Sequence, residues 1–284
     1  MNKKIRVASL SILSNSILIV MKLIIGLISG SVSIISEAIH SFMDLLASLV
    51  AFFSVRISDT PADERHPYGH GKFENISGVV EALLIFIAAF WIIFEAVKKI
   101  MHPEPVEKIG LGFAVMIISA LVNIFVSRRL YRVAKETDSV ALEADALHLK
   151  TDVYTSIGVA TGLLLMWISK IPLLDPIVAI LVAMLILKES YELFSKAYAP
   201  LLDLALPAGD VSKISAIIQH RCTGEMSFHD LRTRKAGNYK YVDFHLNLDP
   251  EKTVREAHEI CDLIEEDIKK AFDHTEVTIH VENF

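Results

Sequence analysis

Two segments of the sequence carry the same spacing of ionisable residues. Residues 37–44 read Glu-Ala-Ile-His-Ser-Phe-Met-Asp, and residues 145–152 read Asp-Ala-Leu-His-Leu-Lys-Thr-Asp. In each segment an acid is followed by His three positions later and by Asp four positions after that. On an α-helix these steps place the three side chains on one face. Imidazole and carboxylate groups gathered in this way are typical ligands of Zn²⁺.

Both segments lie in long apolar stretches. Of the 284 residues 52% are hydrophobic, and the mean hydropathy is +0.45. Apolar runs of about 20 residues, the length that crosses a bilayer, recur through the first two thirds of the chain. We therefore predict an α-helical membrane protein whose six transmembrane helices cover residues 7–29, 32–56, 74–100, 109–130, 139–169 and 172–195.

The positions of Lys and Arg predict how these spans are oriented. Ten such residues precede the first span or lie in the second and fourth connections and at the span ends beside them, against four on the opposite side. Cytosolic loops carry the excess of Lys and Arg in membrane proteins. The pattern predicts a multi-pass protein of the cell membrane with both termini in the cytosol.

This topology brings the two ionisable segments into register. The second span runs toward the cytosol and the fifth runs away from it, so that, if the two helices pack together, His40 lies level with Asp152 and Asp44 with His148. Two imidazoles and two carboxylates near the middle of the membrane suit a tetrahedral Zn²⁺. Asp145 then lies on the cytosolic side of this set.

An alternative is that these polar residues only join helices through hydrogen bonds. Ionisable groups at bilayer depth are costly, however, and usually serve function. Two matching segments on two different spans favour the metal site over helix association alone.

The last part of the chain has a different composition. From residue 207 onward there are 15 acidic and 10 basic residues, a net charge of −5 out of −6 for the whole chain. Helical spacing, alternating strands and a Gly237-Asn238 turn predict the order αββαβ, a small cytosolic α+β domain. We place a transmembrane domain at residues 1–206 and this second domain at 207–284. So small a core gains stability from metal, from dimerisation or from both.

Several segments together resemble the cation diffusion facilitator family over nearly the whole chain. The two His-xxx-Asp pairs at residues 40–44 and 148–152 match the family's transport-site motif. Residues 61–72 resemble its loop after the second helix, and residues 201–207 resemble its link to the cytosolic domain. The resemblance implies a homodimeric, proton-coupled exporter of Zn²⁺ and related ions.

The resemblance also implies metal sites outside the membrane. A two-metal cytosolic site is implied at His229, His245, His258, His280 and Glu282, where the family often has Asp in place of the Glu. Solvated surface histidines are the alternative. A peripheral site is implied at Asp63, His66 and His70, for which an ordinary polar loop is the alternative, and Pro67 argues against a regular helix there.

We therefore expect proton-coupled efflux of a divalent metal by alternating access. Zn²⁺ is the expected ion, both transported and bound in the cytosolic domain, with Cd²⁺, Fe²⁺ or Co²⁺ as further cargo. The expected partners are a second copy of the chain, the lipid bilayer, metal ions and protons, and not nucleic acid. A metalloenzyme is disfavoured because the sequence has neither H-E-x-x-H nor G-x-S-x-G. A membrane-bound metal sensor or scaffold without transport remains the alternative.

Overall fold

A computed structural model describes residues 3–29, 32–101, 111–169, 171 and 173–283. The chain divides into two compact units, residues 1–198 and 199–284. Some side chains within the helices, including those of Glu37 and His40, lie outside this description.

Long helices make up the first unit, as the apolar runs predict. Within the described residues there are six of them, each 25 to 30 residues long: α1 Lys3–Ser29, α2 Val32–Ser58, α3 Lys72–Met101, α4 Leu111–Thr137, α5 Val140–Ser169 and α6 Leu174–Tyr198.

Three stretches of these helices are long and apolar enough to cross a membrane, judged by length and composition among the described residues: Lys3–Ile28, Ser41–Ser58 and Lys72–Met101. The chain is thus a helical membrane protein, and the crossing of all six helices stays a prediction.

Helix α5 lies between two clusters of buried apolar side chains. Leu142 and Leu149 belong to a cluster shared with α1, α2 and α4, whereas Val140 and Ala144 belong to one shared with α3 and α6. Small residues allow close packing in the second cluster. A Cβ added at Gly78 of α3 would lie 2.8 Å from Val140 Cγ1. Glycine at position 78 therefore allows α3 to approach α5 more closely than a larger residue would.

The second unit has the predicted αββαβ order. After a 3₁₀ turn at Ala199–Leu202 come α7 Ala208–Arg221, β1 Ser227–Ala236, β2 Tyr239–Leu248, α8 Val254–Ala271 and β3 Thr275–Asn283. The strands form a sheet in the order β1-β2-β3, in which β2 pairs antiparallel with β1 and parallel with β3.

The two faces of this sheet differ in burial. On β2, the apolar side chains Val242, Phe244, Leu246 and Leu248 are buried against α7 and α8, whereas the alternate positions 243, 245 and 247 are partly exposed. Because side chains alternate between the faces of a strand, His245 lies on the face away from this core. The sheet therefore presents its histidines away from the two helices.

A capping box begins α8 and provides a first prediction. Thr253 Oγ1 accepts a hydrogen bond from the Glu256 backbone N–H at 3.3 Å, and Glu256 Oε2 accepts from the Thr253 backbone N–H at 2.8 Å. The Glu256 carboxylate accepts from the Thr253 backbone N–H and also from the Thr253 hydroxyl, and these two bonds, the backbone one first, lower the pKa of Glu256. We expect Thr253→Ala to cost about 1 kcal/mol of unfolding free energy, a fall in Tm of about 4–8 °C for the isolated unit.

The pH dependence of this cap has a defined sign. Because the pKa of Glu256 is lower in the folded state, its stabilisation is present above the unfolded pKa and is lost as the pH falls through the folded one. Glu256→Gln should thus destabilise the unit at neutral pH, with the difference from wild type shrinking in acid. Glu251→Gln, just outside the cap, is the control. Equal Tm values for the two variants at neutral pH would contradict the prediction.

Candidate metal centres

The first cluster lies inside the helical unit, between α2 and α5. His148 Nε2 is 3.2 Å from Asp44 Oδ1, as the predicted register requires. Ligand atoms of Asp44, His148 and Asp152 all lie within 4.8 Å of one another. A tetrahedral Zn²⁺ with metal–ligand distances of about 2.0 Å holds its ligand atoms about 3.3 Å apart. Small side-chain adjustments would bring these three groups to that spacing.

His40, the fourth predicted ligand, lies on α2 one turn before Asp44, but its side chain is outside the described part of the structure. Its role as a ligand therefore stays a prediction.

His148 is also available for a further interaction. Its other ring nitrogen, Nδ1, is buried and has no hydrogen-bond partner among the residues that the structure describes. Asp44 is buried, while His148 and Asp152 are each partly exposed. An imidazole and two carboxylates in these surroundings fit a divalent metal cation.

Polar side chains that the sequence analysis did not single out surround this cluster. Asn15 Nδ2 of α1 donates to Ser48 Oγ at 2.9 Å and to the Asp44 carbonyl oxygen at 3.4 Å. Asn123 Nδ2 of α4 donates to Asp152 Oδ2 at 3.3 Å. In the sequence, Asn15 and Asn123 can be recognised as amides within otherwise apolar helices, but the sequence does not show what these amides contact.

The contact between Asn123 and Asp152 leads to a second prediction. Hydrogen-bond partners that orient a metal ligand typically contribute 10- to 100-fold to affinity. We expect Asn123→Ala to raise the KM for transported metal by about tenfold without reducing membrane insertion. Ser119→Ala, one turn earlier on α4, is the matched control, since that buried hydroxyl has no partner among the described side chains. Equal KM values for the two variants would rule out the orienting role.

The second cluster lies in the loop between α2 and α3. Asp63 Oδ1 is 3.4 Å from His66 Nδ1, and Asp63 Oδ2 is 3.4 Å from His70 Nε2. The imidazole rings of His66 and His70 are 4.4 Å apart. Asp63 and His66 are exposed, and His70 is mostly buried. The three side chains predicted from the resemblance are therefore adjacent.

A tight turn holds Asp63 in this position. Its Oδ1 accepts from the backbone N–H groups of His66 at 2.7 Å and Arg65 at 2.9 Å. These bonds, with the His66 bond as the larger contribution, lower the pKa of Asp63. The carboxylate is thus available to a cation, although the same contacts are those of an ordinary polar turn.

The third cluster lies across the sheet of the second unit. His229, His245 and His280 are paired neighbours on β1, β2 and β3. Glu282 of β3 contacts all three imidazoles: His245 Nδ1 at 3.0 Å, His229 Nε2 at 3.4 Å and His280 Nε2 at 3.5 Å. The ligand atoms of His229, His245 and Glu282 lie within 4.8 Å of one another. Imidazoles around a carboxylate fit Zn²⁺.

His258 lies apart from this cluster in the described chain. It is exposed on α8, and its Nε2 is 3.7 Å from Asp262 Oδ2, one helical turn away. Its predicted place in the cytosolic site stays a prediction.

The first unit has long helices that enclose one cluster of imidazole and carboxylate groups, and the second unit carries another. These are the features expected of a membrane protein that handles metal cations. Comparison with known families identifies which one. The cation efflux transmembrane domain matches residues 8–202, and the cation efflux protein cytoplasmic domain matches residues 206–284. The chain belongs to the cation diffusion facilitator family and is a cation-efflux transporter rather than an enzyme.

Relatives match along most of the chain. An uncharacterised transporter of Synechocystis sp. is 34% identical over 255 residues, covering 90% of this chain and 82% of that protein. The cation-efflux pump FieF of Shewanella oneidensis is 33% identical over 267 residues, covering 93% and 88%. Protein p34 of Rickettsia rickettsii is 30% identical over 287 residues, covering 100% and 93%.

Proposed function

We propose that this transporter moves Zn²⁺ out of the cytosol in exchange for protons. The observation that carries the proposal is the cluster of Asp44, His148 and Asp152 between two helices of a cation-efflux domain. The mixed imidazole and carboxylate set favours Zn²⁺ and Cd²⁺ over Mn²⁺, which prefers oxygen ligands. Fe²⁺ and Co²⁺ also accept such mixed sets and are further candidate cargo.

The chemistry of the ligands supports exchange with protons. A carboxylate and an imidazole bind metal only when deprotonated, so binding releases protons and protonation releases metal. Histidine titrates close to neutral pH. Zn²⁺ would bind from the cytosol, and protons arriving from outside would displace it. This cycle requires the cluster to open alternately to the two sides of the membrane.

The proposed arrangement in the membrane follows the sequence pattern. All six helices cross the cell membrane, both termini are cytosolic, and the boundary between the two domains falls between residues 206 and 207. The family description of the second domain supports a homodimer formed through it. Zn²⁺ held by His229, His245 and Glu282, with His280 beside them and His258 joining on metal binding or dimerisation, would sense cytosolic metal and stabilise that dimer.

Flux measurements separate this function from a sensor or scaffold without transport. The purified protein is reconstituted into vesicles containing a zinc-sensitive dye, and a pH gradient is imposed. We expect Zn²⁺ and Cd²⁺ to enter faster than Mn²⁺ at equal free concentration, with dependence on the gradient. Absence of flux for every ion would support the sensor instead. Faster Mn²⁺ than Zn²⁺ flux would refute the choice of zinc while leaving an exporter.

A further inference from the structure

Two carboxyl groups outside the proposed metal ligands are enclosed in the helical unit. Glu81 of α3 and Asp145 of α5 are both 0% exposed. Glu81 Oε1 accepts from Ser77 Oγ at 3.2 Å, and Asp145 Oδ1 accepts from Ser48 Oγ at 2.9 Å. The second oxygen of each carboxyl group is buried without a hydrogen-bond partner in the described part of the chain.

The two groups lie on α3 and α5, two helices that pack on each other. Ala82 and Ala144, the residues next to them in sequence, are both fully buried in one apolar cluster. Glu81 and Asp145 interact electrostatically across this contact. Within the described residues, neither forms an ion pair with a Lys or Arg side chain. The pair is therefore a site of like charge in an apolar enclosure.

Such a pair cannot be ionised at both positions at low cost. Burial disfavours a charged carboxylate, and a second carboxylate nearby disfavours it further. An unpartnered buried oxygen adds the cost of a missing hydrogen bond, which a protonated neighbour or a bridging water removes. We therefore expect at least one of the two carboxyl groups to hold a proton.

We infer that Glu81 and Asp145 form a proton-binding pair, which releases a proton when metal binds and regains it when metal leaves. The inference rests on the proposed proton-coupled transport and adds a proton site separate from the metal ligands.

Position along the helices supports this coupling. Asp145 lies one turn before His148 on α5, about 4.5 Å along the helix axis. In the proposed orientation this is the cytosolic side of the metal cluster. The charges of His148 and Asp44 act on Asp145. A dication arriving there would favour the ionised carboxylates and expel the bound proton, as antiport requires.

Apart from His148 and Asp44, whose charges act on Asp145, the groups described around the pair are neutral. Helix α2 contributes Ser48, which Asn15 of α1 contacts in turn, and Ser190 of α6 donates to the Ala82 carbonyl oxygen at 2.8 Å. Asp145 is the charged group that acts on Glu81 in the described chain. The proton affinity of Glu81 is thus coupled to the metal cluster through Asp145.

The test uses the full chain in detergent or nanodiscs, with Glu81→Gln compared with Glu95→Gln, a partly exposed position on the same helix. Two readouts do not require transport. Infrared difference spectra report the carbonyl band of a protonated carboxyl group, and an indicator dye reports protons released per Zn²⁺ bound. We expect Glu81→Gln to lose a band that Zn²⁺ diminishes in wild type, and to release about one proton fewer per bound metal. Its affinity for Zn²⁺ should stay within about twofold, since Glu81 is not a ligand.

An unchanged band and unchanged proton release in folded Glu81→Gln would overturn the inference. If that variant does not fold, Asp145→Asn and Glu81→Asp serve the same test. Asp145→Asn should lose the Zn²⁺-sensitive band, and Glu81→Asp should keep it. Any other result overturns the inference. Failure of the proposed function is detected separately, because wild-type protein would then transport no metal in vesicles. The infrared and proton-release readouts would still report on the pair.

Discussion

Asp152→Ala is expected to reduce metal flux by at least about 100-fold. Losing a partner that only orients a metal ligand already costs up to about 100-fold, and Asp152 is itself a proposed ligand. Asp152 supplies one of the two carboxylates of the membrane cluster, and the ligand atoms of the three described residues lie within 4.8 Å. Removing it leaves fewer ligands and less negative charge to hold a dication. The measurement is Zn²⁺ uptake into reconstituted vesicles under a pH gradient.

Ser156→Ala is a suitable control for this loss. Ser156 lies one turn further along α5, and its hydroxyl donates to the Asp152 carbonyl oxygen at 2.8 Å rather than to the carboxylate. The Ser156→Ala variant should retain Zn²⁺ flux close to that of wild type. Asp152→Asn removes the charge with little change of shape, and this variant should also lose Zn²⁺ flux. Wild-type flux from either Asp152 variant, inserted at normal levels, would remove this residue from the transport site.

Glu282→Ala is expected to abolish the stabilisation of the second unit by zinc. In wild type, Zn²⁺ that binds only the folded state adds about 2.7 kcal/mol to the unfolding free energy when free Zn²⁺ is in hundredfold excess over Kd. For a unit of this size that corresponds to a rise in Tm of more than about 10 °C. Glu282 is the carboxylate that contacts His229, His245 and His280, so its loss removes the shared partner of all three imidazoles. Thermal unfolding of residues 207–284 with and without Zn²⁺ measures the effect.

Two further variants sharpen this result. Glu276→Gln changes an exposed carboxylate on the same strand and should leave the zinc-induced shift intact. His258→Ala asks whether the histidine on α8 joins the site on metal binding or dimerisation, as the family resemblance implies. An unchanged Tm of the wild-type unit at saturating Zn²⁺ would count against the whole cytosolic site.

The local features of this protein are written in its sequence. Apolar runs of membrane-spanning length predict the helices, because such segments satisfy their backbone hydrogen bonds internally. The His and Asp spacing on α5 predicts ligands on one face, because the helical repeat is a local property. In the second unit, the alternation on β2 and the capping box at Thr253 determine the strand and the helix start in the same way.

Contacts between elements were decided by the tertiary structure. The sequence shows Glu81 and Asn123 as polar residues in apolar helices, but not that one interacts with Asp145 and the other donates to Asp152. Those pairings depend on how closely and at what rotation the helices pack, which small residues such as Gly78 set through contacts with distant parts of the chain. The central place of Glu282 likewise depends on strand pairing, which aligns His229, His245 and His280 across the sheet. Helical and strand periodicity act over a few residues, whereas these distances result from packing between segments far apart in sequence.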